Sequence, residues 1–139
     1  MKFRKIGSKY FLRIEREEEI ITSLLDLCSE EQIKLGTITG IGAVNRATIG
    51  LFDLETQIYQ SVEFTGNYEV TALTGNITTK NGETYLHLHI NLADENHAAW
   101  GGHLNEAFVS VTCEIVIDVI DGVVERFYDD NTGLNLLKL

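Results

Sequence analysis

The chain has 139 residues, of which 44% are hydrophobic and 23% are charged, and its formal net charge at pH 7 is −10. These values are ordinary for a soluble globular protein and predict one domain over residues 1–139. No apolar run is long enough to span a membrane and the N-terminus lacks the features of a signal peptide, so we expect a cytoplasmic protein that does not bind membranes.

Positive charge is concentrated at the N-terminus. Residues 1–16 contain six of the eleven Lys and Arg residues and one acidic residue, Glu15, which leaves a charge of −15 on the remainder of the chain. A field of that sign repels nucleic acid phosphates. We therefore expect direct DNA binding to be weak or absent, with any contact made through residues 1–16 or a partner protein. A solvated strand edge that resists aggregation is the simpler interpretation of this basic segment.

The first predicted elements are a strand and a helix. Lys9–Glu15 is predicted to be a short strand, and Glu17–Lys34 is predicted to be a helix. Apolar residues recur at helical spacing in the second segment: Ile20, Ile21, Leu24, Leu25, Leu27 and Cys28. Glu17, Glu18 and Glu19 suit the positive end of the helix dipole. No other segment has a strong helical pattern.

The rest of the chain favours β-structure. Strands are predicted over Gly36–Thr39, Ala43–Phe52, Gln57–Phe64, Tyr68–Thr79, Thr84–Leu92, Ala107–Ile120 and Val123–Tyr128. Asn81-Gly82 predicts a hairpin between two of them. The economical fold is an α+β domain, in which one main helix packs on a curved, mostly antiparallel β-sheet.

Three histidines lie where they can converge on one ion. Alternation in the predicted strand places Leu86, Leu88, Ile90 and Leu92 on one face and Tyr85, His87, His89 and Asn91 on the other. Residues two apart in a strand point to the same face, about 6.5 Å apart. His103 follows Gly101-Gly102, and glycines permit close backbone approach. Three histidines with an open fourth position are a known zinc arrangement.

A simpler interpretation also stands. Histidines on a half-exposed strand are commonly polar surface, and three in one stretch of sequence need not meet in space. His97 lies in a predicted turn and is left out of the site. Cys28 and Cys113 are expected to be buried thiols, because two cysteines do not make a dense disulfide framework.

Several short motifs, taken together, resemble the plants-and-prokaryotes-conserved (PPC) domain. In chain order they are Gly40-Ile41-Gly42-Ala43-Val44, Gly66-Asn67-Tyr68-Glu69-Val70 with Leu73-Thr74-Gly75, Leu86-His87-Leu88-His89, Gly101-Gly102-His103-Leu104 and Glu114-Ile115-Val116-Ile117. The resemblance runs from the helix to residue 134. It implies a helix against a curved antiparallel sheet, assembled as a homotrimer, and a divalent metal, zinc by its ligand type, at His87, His89 and His103.

The resemblance also implies a function and its limits. In plants this domain accompanies AT-hooks in nuclear DNA-binding proteins, and in prokaryotes it stands alone. An AT-hook needs proline, and this chain has none. Plant members usually carry Arg where Asn67 stands, in a segment tied to partner binding. The departure at Asn67 argues against transfer of that plant interaction. The resemblance implies a stand-alone regulatory or DNA-binding-associated module, for which a protein partner of its own is an open expectation.

A small metal-dependent enzyme is the alternative. Three histidines leave one metal position for an activated water, and a nearby carboxylate can act as general base or can orient a metal-bound imidazole. Glu69 and Glu114 are the candidates for this outer shell, although each can equally be a strand-face residue or part of a subunit ion pair. No nucleophile triad, thiol nucleophile motif or phosphate-binding loop occurs, and no catalytic residue is assigned.

Overall fold

The computed structural model describes residues 1–139 and contains one α-helix and eight strands. In chain order they are β1 (Lys2–Ile6), β2 (Lys9–Glu15), α1 (Ile20–Glu30), β3 (Gly36–Asp53), β4 (Ile58–Lys80), β5 (Glu83–Ala93), β6 (Ala99–Val119), β7 (Arg126–Asp129) and β8 (Leu134–Leu137). The α+β prediction is confirmed. No helix is both long and apolar enough to cross a bilayer.

Six strands form one antiparallel sheet in the order β1-β2-β6-β3-β4-β5. Strand β6 also pairs with β5, so β6, β3, β4 and β5 form a closed ring of hydrogen-bonded strands. Closure of so few strands needs strong bending, and the register shifts at irregular positions in β3 and β4 supply it. Strands β7 and β8 form a separate hairpin.

The strands are longer than the sequence pattern predicts. The separate predictions for 36–39 and 43–52 are wrong, because β3 continues through the bulges between Gly40 and Gly42 and between Val44 and Arg46. The predictions for 57–64 and 68–79 likewise merge into β4. Glycine and asparagine mark bends within a paired strand here, not its end.

The helix is shorter than predicted. It begins after Glu19, whose carboxylate accepts hydrogen bonds from the main-chain N–H groups of Ile21 and Thr22. Glu17 and Gln32 have φ angles of 70° and 53°, which are not helical. The predicted range of 17–34 therefore overran the helix by three residues at its start and four at its end.

The core lies between α1 and the sheet. Ile20, Leu24, Leu27 and Cys28 are the buried residues of the helix, which contacts β5 and β6. Cys28 and Cys113 are both free and buried, as predicted. The basic strand β1 lies at the edge of the sheet, and its role in resisting aggregation stays a prediction.

The predicted hairpin is present, but the strands β6, β7 and β8 differ from the prediction. Asn81 and Gly82 have φ angles of 54° and 83° and connect β4 to β5, so the predicted hairpin is confirmed. The strand predicted over 123–128 is shifted to β7, and the pattern gave no indication of β8. The first half of β6, from Ala99, was also missed because glycines interrupt its alternation.

Candidate metal centre

The structure brings the three predicted histidines together. His87 and His89 lie two residues apart on β5, and their neighbours Leu88 and Ile90 are buried on the opposite face. His103 lies on β6 directly opposite His89. The convergence thus depends on the pairing of β5 with β6 as well as on the period-two alternation of one strand.

The spacing of the imidazoles suits a single ion. Ring centroids are separated by 5.3 Å for His87 and His89, 5.2 Å for His87 and His103, and 5.7 Å for His89 and His103. One ligand nitrogen from each ring lies within 4.8 Å of the others. Zinc–nitrogen bonds of about 2.0–2.1 Å place tetrahedral ligand nitrogens about 3.4 Å apart. Small side-chain rotations close that difference, so the donor set fits a divalent ion.

Glycine allows the strands to approach at this place. A Cβ atom on Gly102 would lie 2.8 Å from the main-chain oxygen of Gly50 on β3, and one on Gly75 would lie 2.0 Å from the oxygen of His87. Both contacts are shorter than real Cβ atoms accept. The diglycine before His103 therefore has the role that the sequence indicated, which is close backbone approach.

Burial keeps two of the rings neutral. Removal from water is the main cause that lowers the pKa of His87 to about 4, and the nearby His103, Arg126 and His89 act in the same direction. Burial, followed by the charge of His89, also lowers the pKa of His103. Neutral imidazole is the form that binds metal, so these two side chains need not lose a proton near pH 7.

An open cleft of about 460 Å³ adjoins the histidines. It is lined by Gly50, Leu51, Ala72, Thr74, His89, Ile90, Asn91, Gly101, Gly102 and His103. His89 is exposed, whereas the other two histidines are half-buried. Tyr59 borders the site, since its ring packs edge-on to His103 at 6.2 Å and its hydroxyl donates to Asn105 Oδ1 at 2.7 Å.

The other candidates lie elsewhere in this chain. His97 lies in the turn between β5 and β6, outside the cluster, as expected. Glu69 is opposite Ala93, and Glu114 is opposite Arg13 and Ile41. Both carboxylates are exposed, and neither belongs to the histidine cluster. Their role as outer-shell groups stays a prediction.

Sequence reasoning missed a polar network beside the cluster. Asn76 on β4 is directly opposite His87, and its side-chain oxygen accepts a hydrogen bond from Arg126 of β7. The Arg126 guanidinium also stacks over the Tyr85 ring at 4.8 Å. The only sequence signal was a lone arginine in an apolar strand pattern, which does not identify its partners.

The model of the Plants and Prokaryotes Conserved (PCC) domain, the family that the motifs resemble, matches residues 1–121. The chain belongs to this family. The match begins before α1, earlier than the motifs indicated, and ends before the C-terminal hairpin, so β7 and β8 lie outside it.

Solved structures of similar proteins support the fold of this PPC-domain chain. A proposed DNA-binding protein from Bacteroides thetaiotaomicron VPI-5482 is 35% identical, with a TM-score of 0.97 over 99% of this chain and 96% of that one. A metal-containing protein from Archaeoglobus fulgidus is 31% identical, with a TM-score of 0.90 and full coverage of both chains.

A curated relative is much longer. The bifunctional protein GlmU from Synechococcus sp. (strain JA-3-3Ab) is 28% identical over 127 residues, which is 89% of this chain. This chain spans 19% of the length of that protein. Similarity is therefore confined to one region of the longer relative.

Proposed function

We propose that this chain is a stand-alone regulatory module of the PPC family that binds one zinc ion through His87, His89 and His103. The observation that carries the proposal is the convergence of three imidazoles from two strands, with their ligand nitrogens within 4.8 Å. No thiolate or carboxylate joins the cluster, and an all-imidazole donor set suits zinc among the common divalent metals. The relative from Archaeoglobus fulgidus is metal-containing, which supports the binding of a metal without naming it.

Zinc in such a site supplies a Lewis-acidic position, because three protein ligands leave the fourth open. The chain's own residues hold and orient it. The β5–β6 pairing fixes His89 against His103, and the buried leucines on the other face of β5 prevent its rotation. In a regulatory module this position serves to bind a ligand or to fix an assembly.

The module is proposed to be a homotrimer. Two large apolar side chains, Phe11 and Ile41, are exposed on the sheet face opposite α1, whereas Phe3 shares the face of its partner Leu12. They line an open cleft of about 890 Å³ together with Lys2, Arg4 and Arg13. An apolar cleft with basic residues, on a chain whose remaining surface is strongly acidic, is complementary to another copy of the same chain.

Direct DNA binding is proposed to be weak or absent. The relative from Bacteroides thetaiotaomicron carries a DNA-binding name, and this supports a role near DNA. The net charge of −10 opposes phosphate contact, and the basic strand β1 lies at the proposed subunit cleft. Under this proposal a partner protein makes the contact with DNA. Electrophoretic mobility shifts with the isolated chain test whether it binds DNA directly.

A metal-dependent enzyme is the second candidate. The observation that favours it is the cleft of about 460 Å³ beside His89 and His103, which gives a small substrate access to the open metal position. Glu69 and Glu114 remain the proposed outer-shell carboxylates, which a neighbouring subunit would have to bring near. An open metal site has a bound water that exchanges with solvent, whereas a closed site does not. Replacing zinc with a paramagnetic ion and measuring the relaxation of water protons distinguishes the two.

The metal assignment is tested by metal analysis of protein purified without a histidine tag. The parent should contain one zinc per chain, and the double variant His87→Ala/His89→Ala should contain none. His97→Ala is the matched control, because this histidine lies in a turn outside the cluster. Equal metal content in the parent and the double variant would refute the proposed function.

A further inference from the structure

A buried positive charge lies beside the histidine cluster. Arg126 is 7% exposed. Its hydrogen bonds go to three uncharged acceptors: Thr78 Oγ1, Asn76 Oδ1 and the Asn135 main-chain oxygen, each at 2.8 Å. None of the ion pairs in the structure includes it. A guanidinium has five N–H donors and keeps its charge at any ordinary pH, so Arg126 is a buried cation without a counterion.

Register places this cation next to the cluster. Asn76 and His87 are directly opposite each other on β4 and β5, and opposite side chains of an antiparallel pair share a face with Cβ atoms about 4.5–5.5 Å apart. Asn76, which accepts a hydrogen bond from Arg126, is therefore the cross-strand neighbour of the proposed metal ligand His87.

The charges at this site do not balance. Three neutral imidazoles leave a divalent ion with its full charge of about +2, and Arg126 adds one more positive charge. The cleft that opens onto His89 and His103 has no acidic residue in its lining. This contrasts with a chain whose net charge is −10. An unbalanced positive charge in a partly desolvated site is costly, and a bound anion removes that cost.

We infer that the open metal position accepts a small carboxylate anion, whose charge Arg126 balances. This inference rests on the proposed metal function. A carboxylate has two oxygens, one for the ion and one free to accept hydrogen bonds, and Arg126, which does not line the cleft, balances its charge electrostatically from behind Asn76 and His87. Thr74 and Asn91 in the cleft wall offer a hydroxyl and an amide to the rest of such a ligand. Arg126 lies outside residues 1–121, so the family match does not include it.

A purely structural role for Arg126 must be distinguished from this one. The arginine joins β7 to β4 through Asn76 and Thr78, and to β8 through Asn135. Its removal can loosen the hairpin for that reason alone. Asn76→Asp separates the two roles, because the aspartate keeps the hydrogen bond to Arg126 and cancels its charge.

The experiment uses the full chain loaded with Co²⁺, whose visible absorption changes when an anion binds, and acetate as the probe. We expect the acetate dissociation constant to rise about tenfold to fiftyfold in Asn76→Asp and in Arg126→Gln, because one charge near the anion is cancelled or lost. Co²⁺ should bind both variants as tightly as the parent or more tightly. Arg16→Gln removes an exposed arginine far from the site and should change neither affinity.

Each result has one meaning. Equal acetate affinity in the parent and Asn76→Asp, or no acetate binding to the Co²⁺-loaded parent, overturns the role of Arg126 and leaves the metal site standing. Failure of the parent to take up Co²⁺ overturns the proposed function itself. If Arg126→Gln does not fold, as circular dichroism would show, Asn76→Asp still decides, since its hydrogen bond to the hairpin is kept.

Discussion

Burial has opposite effects on the two kinds of metal-binding side chain in this protein. It lowers the pKa of His87 to about 4, and it raises the pKa of Cys28 and Cys113 to about 12. All three groups are therefore neutral at pH 7. Neutral imidazole binds metal, whereas the thiol must ionise first. Burial thus prepares the histidine for metal binding and leaves the cysteines inert.

The cysteines provide a prediction at this scale. For Cys28 burial alone raises the pKa, and for Cys113 burial is followed by the charge of Glu114. At pH 8 the thiolate fraction is about 10⁻⁴ in the folded chain, against roughly a quarter for an unperturbed thiol with a pKa near 8.5. Iodoacetamide should leave both cysteines unmodified in the native protein and should label both in guanidinium chloride, as mass spectrometry can show.

The sign of the pH effect follows from the same shift. Because the folded-state pKa lies above the unfolded value, the neutral thiols contribute stability that is complete below about pH 8.5 and is lost as the pH rises toward 12. Rapid labelling of native protein at pH 8 would contradict the burial of these residues.

Part of the site was predictable at the residue scale and part was not. His87 and His89 share a face because a strand has period two, which is visible in the sequence. Arg126 reaches the site through hydrogen bonds to residues 48 and 50 positions earlier in the chain. No local pattern encodes contacts at that separation, because they depend on how the hairpin packs on the sheet.

At the scale of elements, one carboxylate joins the helix to the sheet. Glu19 caps α1 by accepting from Ile21 N at 2.9 Å and Thr22 N at 2.6 Å, and it also accepts from Ala107 N of β6 at 3.0 Å. The sequence indicated acidic residues at this helix start for their charge. The third hydrogen bond, from Ala107 N 88 positions later in the chain, explains why Glu19 rather than Glu17 or Glu18 defines the start of the helix.

This cap gives the second prediction. Glu19→Ala should lower the free energy of unfolding by about 2 kcal/mol, because a helix cap is lost and a main-chain N–H of β6 loses its acceptor. Urea denaturation measures the change. Glu17→Ala is the matched control, since its side chain is 83% exposed, and it should change stability by less than about 0.5 kcal/mol. Equal stability of the two variants would rule out this role of Glu19.

Strand length depends on the whole sheet. Glycines at 40 and 42 read locally as strand ends, yet β3 continues past them because it is paired on both sides, with β4 and with β6. A glycine destabilises a strand, because it has low β-propensity and no side chain to pack. Hydrogen bonds along both edges of β3 outweigh that cost. Helix and strand types were therefore predictable from the sequence, while continuity through the bends was not.

At the scale of the whole molecule, charge and apolar surface are arranged unevenly. The basic residues of β1 and β2 surround exposed Phe11 and Ile41, while the remainder of the chain is acidic. An exposed apolar face on a sheet that ends in a free edge strand promotes uncontrolled association unless it is covered. Closed symmetric assembly covers it without leaving further faces open.

The last prediction concerns that assembly. Light scattering of the parent should give a mass of about 47 kDa, three times the chain mass of 15.6 kDa. Ile41→Asp should shift the mass toward the monomer, because Ile41 is 58% exposed in the isolated chain and its replacement by a carboxylate would bury a charge in the interface. Ile120→Asp, at an exposed site outside that cleft, should remain trimeric.

The same light-scattering measurement after verified metal removal separates two roles of the ion. A trimer that persists without metal shows that subunit contacts suffice, whereas dissociation shows that the histidine cluster and the assembly are coupled. A parent mass near 15.6 kDa contradicts the trimer altogether.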